Sequence, residues 1–86
     1  MDDLNTIIAR NIRRLRQRAG LTQEQMAQVM GHGRPMQCKL ESGERVWTPA
    51  RIARAALHLG VSVPRLVVST APPAGESGAL QEGEAA

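Results

Sequence analysis

The side chains able to do chemistry in this sequence are few: Cys38, His32, His58 and 11 cationic residues, set against eight carboxylates. A lone cysteine excludes an intramolecular disulfide and a multi-cysteine zinc site. His32 and His58 are far apart in sequence, and with Cys38 they lack metal-ligand spacing. No Ser/His/Asp, Cys/His or paired-carboxylate arrangement is visible, and no glycine-rich loop links a strand to a helix. The pattern does not point to an enzyme, and no cofactor or metal is expected. Cys38 reads as a small, partly buried side chain rather than a redox sensor. What remains is hydrogen-bond donation by cations. An arginine can present two donors to one partner, and a lysine can donate less rigidly.

The charge is unevenly placed. Residues 1–68 hold all 11 basic residues and five acidic ones, a balance of +6. Residues 69–86 hold Glu76, Glu82 and Glu84 and no base, a balance of −3. A basic body of this size suggests a polyanionic partner, nucleic acid first. Arg10, Arg13, Arg14 and Arg18 read as a solvated helix face. The stretch 69–86 is rich in Pro, Gly, Ala, Ser and Glu, with Leu80 its one large apolar residue. It cannot bury enough surface to offset its chain entropy, so a disordered acidic tail is expected there. Residues 1–68 form the one expected domain. A chain of 86 residues buries only about 60% of its unfolded surface, too little for a deep, walled catalytic cleft. No apolar run approaches the roughly 18 residues of a membrane span, and no basic-then-apolar signal follows Met1-Asp2-Asp3. A cytoplasmic, nucleoid-associated protein without membrane contact is expected.

Helices must position these groups. Leu4, Ile8, Ile12, Leu15 and Ala19 mark one face of a helix. Asp3 or Asn5 can cap its start, and Gly20 suits the left-handed residue after its end. Thr22 and Gln25 have capping-box spacing for a second helix carrying Met26, Ala27, Val29 and Met30, which Gly31 stops. A third helix is predicted from about Arg34 to Glu41, between Gly33 and Gly43, with Pro35 in its first turn. Thr48-Pro49 starts a fourth, with Ile52, Ala55, Ala56 and Leu59 inward and Gly60 at its end. Ser62-Val63-Pro64 starts a short fifth through Leu66 and Val67. No strand pattern appears. The expected fold is an all-α bundle of five short helices. Ala27 lets the second and third helices approach, and Gly31 makes the tight turn between them. Trp47 falls in the loop before the fourth helix, as a lid on a small core or as an exposed anchor at a dimer contact. Its enrichment at interfaces favours the anchor.

The stretch LTQEQMAQVMGHGRPMQCKLESG, residues 21–43, resembles the helix-turn-helix domain of the phage-repressor/Cro type, also called the xenobiotic-response-element type. The resemblance covers about residues 7–67. It rests on Ile12-x-x-Leu15-Arg16, Leu21-Thr22-Gln23-Glu24-x-Met26-Ala27, Gly31, Leu40-Glu41-x-Gly43 and Leu59-Gly60-Val61-Ser62. It implies a five-helix, lambda-repressor-like bundle that places its third helix in a DNA major groove. It further implies that Gln23 meets a phosphate, and that Arg34, Pro35 and Lys39 meet base edges, with Met36 and Gln37 nearby. Arg45 would lie against the DNA backbone. Arg16 and Glu41 match the family's structural ion pair. The sequence departs from the family's pattern at His32 and Gln37, where apolar or small residues are usual. The implied function is sequence-specific transcription regulation, as a repressor, by a homodimer on a palindromic operator in double-stranded DNA. An adaptor, or an antitoxin with a toxin or other protein as partner, is the alternative that His32 and Gln37 leave open.

Overall fold

The start and stop signals fall where helices begin and end. The computed structural model describes residues 3–69, and among them the helices are α1 (Leu4–Arg18), α2 (Gln23–Met30), α3 (Arg34–Ser42), α4 (Pro49–Leu59) and α5 (Val63–Val67). The disorder expected of 69–86 falls, apart from Ser69, outside the described residues.

Local chemistry explains the boundaries. Asp3, not Asn5, caps α1, accepting the Thr6 backbone N–H at 2.8 Å. Hydrogen bonding from Thr6, through its side chain and then its backbone, holds the Asp3 carboxyl below its usual range. Thr22 and Gln25 form the reciprocal capping box of α2. Thr48 caps α4, accepting from the Arg51 N–H. Each of α3, α4 and α5 carries proline in its first turn, where the missing N–H leaves no helical bond unmade. Gly31 ends α2 at φ 82°, in the left-handed region. The His32 N–H then reaches back to the Ala27 carbonyl at 3.1 Å, so the turn into α3 is pinned to the end of α2.

The inward stripes meet in one core. It contains Ile8 and Ile12 of α1, Met26 and Met30 of α2, Leu40 of α3, Ala55 and Ala56 of α4 and Leu66 of α5. Trp47 completes it and is 4% exposed, so the expected interface anchor is corrected to a core residue. The reason is hydrogen bonding. The indole N–H donates to the Leu40 carbonyl at 2.9 Å, satisfying the one polar atom of a ring otherwise surrounded by aliphatic groups. The Trp47 backbone N–H donates to Asn5 Oδ1 at 2.7 Å, while Asn5 Nδ2 donates to the Arg45 carbonyl at 3.0 Å. One asparagine on α1 thus clasps the loop that turns Trp47 inward.

A second asparagine does the same at the other end of the chain. Asn11 is buried on α1, and its two amide hydrogens serve the carbonyls of Leu66 and Val68, each at 2.8 Å. Arg14 donates to Asn11 Oδ1 at 3.0 Å. A helix of five residues has little stability of its own. The Asn11 bonds and the buried Leu66 side chain are what seat α5 against α1.

Candidate nucleic-acid interface

α3 is two-sided. Gln37, Leu40 and Glu41 lie inward. Pro35, Cys38 and Lys39 are exposed on the opposite side, and Arg34, the first residue of the helix, is exposed at its edge. The 3.6-residue period accounts for the division: positions 35, 38 and 39 share one stripe, and position 34 borders it on the side of Glu41. Cys38 stands on that stripe, which corrects its expected partial burial. Met36 is half-buried and packs against the core, so it sits beside the outer face rather than on it.

Gln37 is the largest departure from expectation among the proposed contact residues. It is 0% exposed, so it cannot meet a DNA base in this fold, and its place near the base-reading face is corrected to the interior. Its amide is occupied at both ends. Nε2 donates to Glu41 Oε2 at 2.7 Å, and Oε1 lies 2.7 Å from His32 Nε2. Because the Gln37 oxygen can only accept, His32 must carry its proton on Nε2. Reversing the amide would set oxygen against the Glu41 carboxylate, so the network itself fixes the orientation. The two residues that depart from the family's pattern are therefore each other's partner.

Glu41 is the hub of this buried cluster. Its Oε2 also accepts from Arg16 Nε at 2.7 Å, with the two side chains 2% and 9% exposed. Its Oε1 accepts from Gln23 Nε2 at 3.3 Å. Arg16 donates a further bond to the Leu21 carbonyl at 2.7 Å, holding the α1–α2 connection. Charge and hydrogen bonds are thus both satisfied, which is the condition for an ion pair to be tolerable away from water. The cluster joins α1, the first residue of α2, the turn and α3. Sequence reading finds the Arg16–Glu41 pair but not the roles of His32, Gln37 and Gln23 in surrounding it. The four-residue spacing of Gln37 and Glu41 on one helix was a usable signal; the reach of His32 across the turn was not.

Beside the outer face of α3 lies an open cleft lined by Arg13, Arg16, Thr22, Gln23, Glu24 and Arg34. The N-terminus of α2 opens into it, so backbone N–H groups and the positive end of a helix add to the exposed guanidinium groups of Arg13 and Arg34, against the one carboxylate of Glu24. Gln23 is at this position, half-buried, with its side-chain amide turned toward Glu41. Arg45 follows the end of α3 and is exposed. The structure therefore exposes Pro35 and Lys39 on the outer stripe of α3 and Arg34 at its first residue, with the α2 N-terminus and Gln23 beside Arg34 across the cleft. Gln37 stands apart from it, inside.

The remaining arginines of α1 lie elsewhere. Arg14 is partly buried near Arg18, Arg65 and Arg10, and burial first, then these neighbours, lower its pKa. Arg54 of α4 donates to the Val29 carbonyl at 3.0 Å, placing a cation at the C-terminal end of α2.

Residues 7–67 match the family described as helix-turn-helix domain, and the chain belongs to that family. No curated protein matches the chain. Among solved structures, it is similar to a hypothetical transcription factor, NHTF, from Neisseria, with 28% identity and a TM-score of 0.74 over 79% of this chain and 78% of that one. It is similar also to the restriction-modification controller protein C.AhdI from Aeromonas hydrophila, with 28% identity and a TM-score of 0.66 over 71% of this chain and 92% of that one. The clp gene regulator ClgR from Corynebacterium glutamicum shares the fold, at 21% identity and a TM-score of 0.72 over 77% of this chain and 86% of that one.

Proposed function

Proceeding from membership in the helix-turn-helix family, we propose that this protein is a transcription regulator that binds double-stranded DNA through α3 in the major groove. The observation that carries the reading is the outer face of α3, with Arg34, Pro35 and Lys39 exposed on a helix whose other side is tied into the core. Arg34 reads a guanine edge with two donors. Lys39 contacts a second base or a neighbouring phosphate, and Pro35 packs on a thymine methyl. One phosphate sits in the cleft at the α2 N-terminus, held by backbone N–H groups at Gln23 and by Arg13. Gln23 positions that turn, and Arg45 meets the backbone beyond α3. Residues 1–68 are the DNA-binding unit.

One such module makes few base contacts, and single modules bury only about 600–1,000 Å² against DNA. The reading therefore includes a homodimer on a palindromic operator, with half-sites about one helical turn apart. With Trp47 inside the core, we assign the second copy to the Gly60–Val68 end, where Val63 and Val68 are exposed. Repression follows from occupancy, which requires nothing beyond binding at a promoter. Support comes from the transcription factor and controller protein to which the chain is similar. The alternative of an adaptor or antitoxin rests on His32 and Gln37, which bond to each other across the α2–α3 turn.

The test is selection from a random duplex pool at two salt concentrations, with the bound fraction sequenced. The expected result is an enriched palindrome whose binding weakens steeply as salt rises. Binding without any enriched motif would overturn the reading.

A further inference from the structure

We infer that His32 and Gln37 are specificity-setting residues that act on base recognition without touching DNA, by fixing the rotation of α3 about its axis. The inference rests on the proposed DNA-binding function of that helix. Four observations lead to it. Gln37 lies on the inner side of α3, within the same turns as the exposed Arg34 and Lys39. Both ends of its amide are bonded at 2.7 Å, one to Glu41 and one to His32. His32 is pinned through its backbone to the end of α2, and Glu41 is pinned to α1 through Arg16. Gln37 and Glu41 both belong to α3, so the helix is held from two other elements at once, by His32 at the end of α2 and by Arg16 of α1.

Geometry explains why this matters for sequence recognition. Atoms at the surface of a helix lie about 5–6 Å from its axis, so a rotation of ten degrees moves them by about 1 Å. A hydrogen bond of 2.7 Å does not survive such a shift, nor does a bidentate contact from arginine to guanine. Apolar packing is non-directional and tolerates it. A chain of directional bonds at the centre of the inner face thus restricts α3 to one rotational setting. That setting decides which base edges Arg34 and Lys39 can reach. Phosphate contacts from flexible cations do not depend on it to the same degree.

The experiment compares the full-length protein with Gln37→Met, His32→Ala and His32→Gln. Methionine preserves the buried volume of Gln37 and removes both bonds. Glutamine at 32 restores a donor for Gln37. Each protein is put through the same random-duplex selection, and its affinity is measured for the parent's enriched duplex and for a scrambled one. For Gln37→Met and His32→Ala, the motif is expected to become degenerate at the positions read by Arg34 or Lys39. Their ratio of specific to scrambled affinity should fall about tenfold. Affinity for scrambled DNA should stay near the parent's. His32→Gln should recover much of the ratio. His32 is half-exposed, so its variants report even if Gln37→Met does not fold. A parental motif and ratio in the folded variants would overturn this inference and leave the DNA-binding reading intact. A parent that enriches no motif would instead overturn that reading.

Discussion

α1 is tied to its neighbours by buried polar groups on two sides, and the two ties are built differently. Toward α3 it uses charge: Arg16 meets Glu41, and Gln23, Gln37 and His32 complete a shell of side chains around the pair. Toward α5 it uses one neutral amide: Asn11 donates to two backbone carbonyls, with Arg14 on its oxygen. The first tie joins helices that each have a packed face of their own, so its contribution is one of placement. The second seats a five-residue helix that could not persist without it. A side-chain network is directional in all its parts and can hold a recognition helix at one angle. A clasp on carbonyls holds the chain but leaves its side chains to be set by packing.

The comparison makes graded predictions. Glu41→Ala should have the largest effect, because it leaves the Arg16 guanidinium buried without its counter-charge. A loss of roughly 3–5 kcal/mol is expected in denaturant unfolding, a large share of the stability of so small a domain. An unchanged midpoint would mean that the pair is not the keystone of the α3 side. Asn11→Ala should come next, at about 1–3 kcal/mol, because the carbonyls of Leu66 and Val68 lose their donor. Hydrogen exchange should show the loss concentrated in α5; equal loss in α3 would erase the distinction between the two sides.

The smallest effect concerns the start of α1, which both ties share. The folded carboxyl of Asp3 titrates below its unfolded value. Its contribution is complete above the unfolded value of about 4 and is lost as pH falls through the lowered folded one. The protection of the Thr6 amide, taken relative to the intrinsic exchange rate at each pH, should therefore fall in acid. Asp3→Asn retains a cap and should remove that part of the pH dependence.

The helices were legible in the sequence because each boundary is marked by local chemistry, such as the Thr22–Gln25 capping box or glycine at 31 and 43. The outer face of α3 was legible in part, since the resemblance to the helix-turn-helix domain points to Arg34, Pro35 and Lys39, and all three are exposed. Gln37 was not, because polarity suggests exposure and only a partner across a turn reveals the opposite. Once Gln37 is placed inward, helical periodicity turns Cys38 outward, against the usual burial of a free cysteine. Trp47 was misplaced for a similar reason. Its burial depends on Asn5, 42 residues earlier, and on a carbonyl of α3 for its indole N–H. Pairings at long separation leave no local mark.

The central claim is that α3 reads sequence with its outer face. The most direct measurement is the affinity of Arg34→Ala for the selected duplex and for a scrambled duplex of equal length. A loss of about tenfold or more on the selected duplex, with little change on the scrambled one, is the predicted result. Equal loss on both would show that Arg34 serves only as a charge near phosphates and would contradict the account.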